Sequence, residues 1–445
     1  MSRIILIFTY LFFIQIFTTV HAQDVWSLEK CINYAIVNNI QIKQGEILTK
    51  YQQNLLKQSK FARLPNLNGQ LSQNLNYGRS LTYNNTYQNI NSSEADLGIG
   101  TTIPLFQGFQ ITNTIKMTDL NLKASLEDIE KAKSDITMNI ASYYLQILFD
   151  KDLVKVSQDQ LDVTNLQIKQ INEKVEAGSL ARGSLLEIQA QAAVEELNLV
   201  NAQNQLNLDK LRLTQVLEME SHENFDVEVP VLPEINAQTS LVTSAEVYKI
   251  ALAMRPEIKS ADFRLKSSKY QLKTAQGLVY PTLSFYANIY DNYNNKYSDV
   301  LGNSINFSDQ LRNNQRKGLG LQMNIPVFNR LQNKTQIDNA SLQVSKTEWD
   351  LVIAKKLLRF DIETAQTNAV AALNRFISNQ KAVSSNKEAF RYSQEKFNVG
   401  MVNAVEYNTA KNQLAKAESD LLQTKYEFIF RTKILDFYRG LPITL

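Results

Sequence analysis

The feature that most constrains this chain is that it is written twice. The segment from Leu64-Pro65 through Ile103-Pro104-Leu105-Phe106 to Glu173-Lys174-Val175-Glu176-Ala177-Gly178 returns as Tyr280-Pro281, Ile325-Pro326-Val327-Phe328 and Glu395-Lys396-Phe397-Asn398-Val399-Gly400. A self-match over about half the length means that one structural unit was duplicated. Pro104 to Gly178 and Pro326 to Gly400 each span 74 positions, whereas Pro65 to Pro104 spans 39 and Pro281 to Pro326 spans 45. The extra residues therefore lie between two proline-marked points, and register is kept after them. Insertions collect in exposed connections, so Gly78 to Ser93 and Asn294 to Arg316 are expected to be surface loops. The chain divides into a leading segment, 1–22, a first repeat, 23–226, a linker, 227–243, and a second repeat, 244–445.

The leading segment reads as a signal peptide. Arg3 precedes an apolar run from Ile4 to Val20, and Val20-His21-Ala22 offers a small residue for cleavage before Gln23. The competing reading, a transmembrane anchor, is opposed by the short run and its polar interruptions. Cys31, the only cysteine, has no internal disulfide partner, and its place in the pattern Leu28, Cys31, Ile32, Ala35 makes it a small core residue. A net charge of +3 gives no electrostatic case for nucleic acid. With 14 Gly and 8 Pro in 445 residues, the chain holds far less of both than an average protein, which favours long helices.

Past residue 22 no apolar stretch is long enough for a membrane-spanning helix, but four segments alternate with period two. In Asn66 to Tyr77 the odd positions Leu67, Gly69, Leu71, Gln73, Leu75 and Tyr77 form a mainly apolar face, opposed by Asn66, Asn68, Gln70, Ser72, Asn74 and Asn76 on a wholly polar one. Ala95, Leu97, Ile99 and Ile103 likewise oppose Asp96, Gly98, Gly100 and Thr102. Leu283, Phe285, Ala287 and Ile289 oppose Thr282, Ser284, Tyr286 and Asn288, and Leu319, Leu321, Met323 and Ile325 oppose Gly318, Gly320, Gln322 and Asn324. These are two hairpins, about 66–104 and about 282–326, one per repeat. An apolar face and a hydrated face fit a transmembrane β-barrel; a soluble half-buried sheet has the same period. Four strands cannot close a water-filled barrel, and open edges are not tolerated in lipid, so the barrel reading requires several chains.

The remainder is helix with apolar residues stepping by seven. Ile115, Leu122, Ile129, Ile136 and Tyr143 form one stripe, and Ile140, Ile147, Val154, Leu161, Ile168 and Val175 the next. The second repeat gives Ile337, Val344, Leu351, Leu358, Ala365 and Ala372, then Ile362, Ala369, Phe376, Val383, Phe390 and Phe397. Sustained heptads predict antiparallel coiled-coil packing. The long helices are expected over Gln107 to Val175 and Asn329 to Phe397. Shorter ones are expected over Ser27 to Leu64, Leu180 to Glu218, Ser244 to Val279 and Asn403 to Tyr438. The fold class is mainly α with β.

In this order and spacing, the Leu28 to Asn39 pattern, Leu64-Pro65 entering the first strand, Ile103-Pro104-Leu105-Phe106 leaving the second, the Gly178 and Gly400 turns and the duplication itself resemble the TolC-type outer-membrane efflux proteins. The resemblance covers the whole chain after the leading segment. It implies a homotrimer with a 12-stranded transmembrane barrel in outer-membrane lipid, continued by a helical tunnel into the periplasm. The implied function is a passive exit duct of a tripartite efflux pump or type I secretion system, working with a periplasmic adaptor (membrane fusion) protein and an inner-membrane transporter. It implies adaptor docking at the tip turns, here Ala177-Gly178-Ser179 and Val399-Gly400-Met401. The second is close to the family's Val-Gly-Leu form, and the first departs from it. It also implies an acidic ring at the periplasmic aperture, six and nine positions after the second-turn Gly. Those positions are Glu406 and Thr409, so one carboxylate is replaced. Their counterparts in the first repeat are Ser184 and Glu187, with Arg182 placed to pair with such a carboxylate. The plainer reading is that Glu406 and Glu187 are first-turn carboxylates favoured by the helix dipole, and that the glycines supply a left-handed turn.

Enzymatic readings find no support. His222 is the only histidine outside the leading segment, and zinc spacings, a Walker loop and a nucleophile elbow are all missing from the sequence. Gly98-Ile99-Gly100 and Gly318-Leu319-Gly320 lack the third glycine of a nucleotide loop and read as small residues on the hydrated strand face. No cofactor is expected. The competing class is a coiled-coil envelope spacer without a pore, for which a hydrated strand face has no use. The transported substrate is not legible.

Overall fold

A computed structural model describes residues 24–81, 85–221, 224–232, 234–235 and 242–445. The leading segment 1–22, His222 and Pro233 lie outside the described residues. In chain order the elements are β1 (Asp24–Trp26), α1 (Leu28–Asn38), α2 (Ile40–Phe61), β2 (Asn68–Asn76), β3 (Arg79–Leu81), β4 (Tyr87–Asn89), β5 (Ser92–Gln107), α3 (Gln110–Glu176), α4 (Arg182–Val216) and β6 (Phe225–Val227). The second half follows with α5 (Ser244–Met254), α6 (Pro256–Gln276), β7 (Thr282–Asn294), α7 (Phe307–Asn313), β8 (Arg316–Asn324), α8 (Gln332–Asn398) and α9 (Ala404–Tyr438). The duplication is metric: α3 and α8 each hold 67 residues, and α4 and α9 each hold 35. At 1.5 Å per residue a 67-residue helix rises about 100 Å.

The chain forms two compact units that cut across the repeats, and each draws on both. Unit 1 comprises Met1–Glu46, Ile129–Pro256 and Lys355–Leu445; unit 2 comprises Ile47–Asp128 and Glu257–Ala354. Unit 1 has the hydrophobic core. Ile136, Ile140, Ile147, Leu148, Leu213, Leu217 and Ile429 are buried together, with Cys31 and Ala35 among them. The heptad stripes face inward: Ile129, Leu358, Ile362, Ala369 and Ala372 are buried. Cys31 is the small core residue expected from its pattern.

Three features depart from the sequence reading. The short leading helices of each repeat are broken rather than continuous. In the first, Asn39 turns extended after α1, and its side chain accepts from Gln41 N at 2.9 Å and donates to the Val216 carbonyl at 3.0 Å. Asn thereby offers the backbone an alternative to helix. In the second, Pro256 opens α6, which forces Arg255 out of helical backbone.

The boundary expected between the first repeat and the linker, at 226–227, falls inside β6, which pairs in parallel with β1. Tyr144 donates its hydroxyl to the Glu228 carbonyl at 2.7 Å, and Lys151 holds Asp226 at 2.8 Å. Three-residue strands leave no periodic signal, so only these tertiary bonds mark them.

The loops are also structured. Gly78 to Ser93 holds β3 paired with β4, and Asn294 to Arg316 holds α7. Gln310 is buried, accepting from Asn294 N and donating to the carbonyls of Asn294 and Ile305, each at 2.9 Å.

Candidate functional site: a two-faced sheet and a paired-turn tip

Unit 2 holds a four-stranded antiparallel sheet in the order β2-β5-β7-β8. Each predicted hairpin forms, and the two join through β5 and β7. The register brings like faces together. Leu71 opposes Leu97, Ile99 opposes Ile289, Phe285 opposes Leu321 and Leu283 opposes Met323. On the other face Ser72 opposes Asp96, Asp96 opposes Asn292, Gly100 opposes Asn288 and Ser284 opposes Gln322. The apolar face is bare: Leu71, Leu319 and Leu321 are 76%, 77% and 64% exposed. The polar face is internally bonded. Asp96 accepts from Ser72 Oγ at 3.1 Å and from the Tyr290 hydroxyl.

The glycines expected on this face have a steric reason. A Cβ on Gly320 would lie 2.8 Å from the Tyr286 hydroxyl, and one on Gly318 2.5 Å from Asn288 Oδ1. Their absent side chains make room for cross-strand neighbours.

In unit 1 the two turns are built alike. Gly178 and Gly400 adopt left-handed φ of 73° and 77°. Gly178 N donates to the Val175 carbonyl at 3.0 Å and Ser179 N to Lys174 at 2.9 Å; Gly400 N donates to Phe397 at 3.1 Å and Met401 N to Lys396 at 2.8 Å. These are paired Schellman closures, which satisfy helix-end carbonyls. The turns are side by side, because Lys174 Nζ donates to the Asn398 carbonyl at 3.4 Å. Ala177, Ser179, Val399 and Met401 are all exposed.

Of the aperture residues, Glu406 is exposed in the first turn of α9, and its amide donates to the Asn403 side chain at 2.9 Å. That helix start explains an acidic residue at this position by itself. Thr409 is exposed one turn on, its hydroxyl given to the Val405 carbonyl at 2.8 Å. On α4, Glu187 and Arg182 are exposed and Ser184 is half-buried. Within the single chain Arg182 forms no ion pair among the described residues.

Sequence reasoning missed two buried polar groups in unit 1. Lys411 of α9 reaches Glu195 of α4 at 2.8 Å, donates to the Gln160 carbonyl of α3 at 3.0 Å, and contacts Thr164, whose hydroxyl donates to Glu195 at 2.5 Å. Burial lowers the Lys411 ammonium from its usual range, while Glu195 pulls it back up. The signal was present: Glu195 sits in the apolar stripe of Ile188, Ala192, Leu199 and Ala202. The second group is Asp150 of α3 facing Asp209 of α4, each 1% exposed. Burial and the Asp209 carboxyl push Asp150 up to about 7. Among the described residues no group of three or more His, Cys, Asp or Glu side chains is placed to hold a metal ion, and no helix is long and apolar enough to cross a membrane.

A two-faced open sheet and a duplicated set of long helices fit an outer-membrane channel protein, and the comparisons agree. The outer membrane efflux protein family matches residues 31–217 and again 247–429, once per repeat, and this chain belongs to that family. It is 22% identical over 350 residues to the toxin and drug export protein A of Aggregatibacter actinomycetemcomitans, covering 76% of this chain and 70% of that one. Its fold matches solved CusC with a TM-score of 0.75 at 17% identity, over 93% of this chain and 92% of that one. It matches the outer membrane protein VceC of Vibrio cholerae with the same TM-score at 16% identity, over 93% and 96%. The chain is therefore an outer-membrane efflux channel protein, and the poreless spacer reading is set aside.

Proposed function

We propose that three copies of the chain join their four-stranded sheets into a 12-stranded barrel, apolar face to lipid and polar face to a water-filled lumen. The observation that carries this reading is the sheet itself. Among the described residues nothing covers its apolar face, and its edge strands β2 and β8 have no partner strand. The duct is passive. The paired turns at Gly178 and Gly400 meet a periplasmic adaptor protein, through which an inner-membrane transporter supplies energy and selects the cargo. Three Glu406 carboxylates ring the periplasmic aperture and favour cations, because like charges held together gain from a shared counter-ion.

The test is single-channel conductance of the purified protein in a planar bilayer. Discrete, cation-selective conductance is expected, and its absence from reconstituted trimer overturns the duct. Glu406→Ala is expected to lower cation selectivity more than Glu187→Ala; unchanged selectivity removes Glu406 from the pore. Trp at Ser179 or Met401 is expected to abolish export with conductance intact.

A further inference from the structure

The duplication fixes how one copy meets the next. Before the inserted residues, first-repeat positions map onto the second by adding 216, as Pro65 maps to Pro281; after them the offset is 222, as Pro104 maps to Pro326 and Gly178 to Gly400. The structure obeys the same arithmetic. Asn68 pairs with Gly100, and their images Ser284 and Gln322 pair with each other. Strand β5 is thus the image of β8, and β2 the image of β7. The junction between repeats inside one chain, β5 with β7, has its image in a junction the single chain lacks: β8 against β2 of another copy.

We infer that this unmade junction repeats the register of the made one, so that Leu321 of one copy stands opposite Gln73 of the next. This rests on the trimer reading above. Inside the chain Ile99 opposes Ile289, Gly98 opposes Tyr290 and Thr101 opposes Ala287. Their images are Leu321 with Gln73, Gly320 with Asn74 and Met323 with Leu71. Sides agree: Met323 meets Leu71, and Leu321 meets Gln73, on the mainly apolar side, and Gly320 meets Asn74 on the polar side. A slip of one residue would invert every side chain. A slip of two would preserve the faces, and only the repeat symmetry excludes it.

The helices extend the same inference. Inside unit 2, α3 meets α6 through Ser267 Oγ donating to Asn121 at 2.6 Å and Arg264 bonding Asp128 at 2.5 Å. The images are Tyr51 with Gln343 and Leu48 with Asp350. Tyr51 and Leu48 are 58% and 64% exposed in the single chain, and a neighbouring α8 covers them. The two junctions are not equally tight. A Cβ on Gly277 would lie 2.5 Å from the Gly108 carbonyl oxygen, so glycine is required where the repeats cross within a chain. The images of that pair are Phe61 and Arg330. Side chains of that size hold the backbones further apart, so the junction between copies is the looser of the two at that crossing.

Oxidative cross-linking of the full chain with copper phenanthroline tests the register, with Cys31, which is buried, left in place. Directly opposed Cα atoms are about 4.5–5.5 Å apart, within disulfide reach, and diagonal ones about 7–8 Å. The double variant Gln73→Cys with Leu321→Cys is expected to give a reductant-sensitive ladder ending at a covalent trimer. Each single variant should give none, and Leu75→Cys with Leu321→Cys under about a tenth of the yield. Tyr51→Cys with Gln343→Cys should give the same ladder and reports even if the strand variants do not assemble. A trimer by native mass in which the shifted strand pair cross-links better, or in which neither designed pair does, overturns the register alone. An unmodified protein that stays monomeric by native mass overturns the trimer reading with it.

Discussion

Unit 1 and unit 2 are built from the same duplicated sequence and end in opposite conditions. Unit 1 buries what its pattern marks as apolar, with Ile140, Ile147, Leu213 and Ile362 at or near zero exposure. Unit 2 leaves its most regular apolar pattern, Leu71, Leu319, Leu321 and Met323, on the surface. The first is a core and the second is a bare apolar face. The difference teaches that hydrophobic period says which side of an element is apolar and not what covers it. In unit 1 the cover is the chain's own helices; in unit 2 no described residue supplies one.

The largest expected effect breaks unit 1 from within. Lys411→Met strands Glu195 without its cation at a buried site, and removing one member of such a pair costs about 3–5 kcal/mol. Helical signal against denaturant should show the loss, and Lys411→Met with Glu195→Leu should recover most of it. Recovery by the single variant would mean that the site is wet.

Next comes the cover of unit 2. Leu321→Arg is expected to leave unit 1 folded while costing about 2–4 kcal/mol on the lipid face of a barrel, read as the fraction assembled in the outer membrane. Gln322→Arg, one residue along on the polar face, should do far less. Equal effects would erase the distinction between the faces.

A smaller effect concerns pH. The folded Asp150 carboxyl is raised to about 7, above its unfolded value near 4, so the folded state holds a proton that the unfolded state has released between those values. Stability from this group is fully present below about pH 4 and is lost as pH rises through 7. Asp150→Asn is expected to flatten that decline and to be more stable than the parent at pH 8 by about 1–2 kcal/mol, measured by thermal melts at pH 5.5 and 8. A parent melt that changes over this interval by the same amount as the variant would deny the raised Asp150 carboxyl.

Smallest is Gly178→Ala. Nothing lies within 4 Å of the added Cβ, so the cost is the left-handed φ alone, about 1 kcal/mol. A cost of several kcal/mol by the same melts would show that the tip packs more tightly than its open surroundings imply.

The sequence by itself determined the duplication, the two hairpins with their faces, the 67-residue helices to within a few residues, and both glycine turns. Each of these is written in local period or in one residue's φ preference, and survives without knowledge of neighbours. It also placed Glu406 in the first turn of α9, whereas Glu187, expected in a first turn, lies beyond that of α4 because the helix starts at Arg182; their role at an aperture stays a proposal. Only the tertiary structure decided the rest. The β1–β6 pair, the Asn39 break and the Gln310 anchor depend on hydrogen bonds to distant backbone, which leave no periodic mark. The Lys411–Glu195 pair and the Asp150–Asp209 contact required α3, α4 and α9 to be brought together. A charged residue in an apolar stripe announces that something must compensate it, and the identity of the partner is a matter of packing.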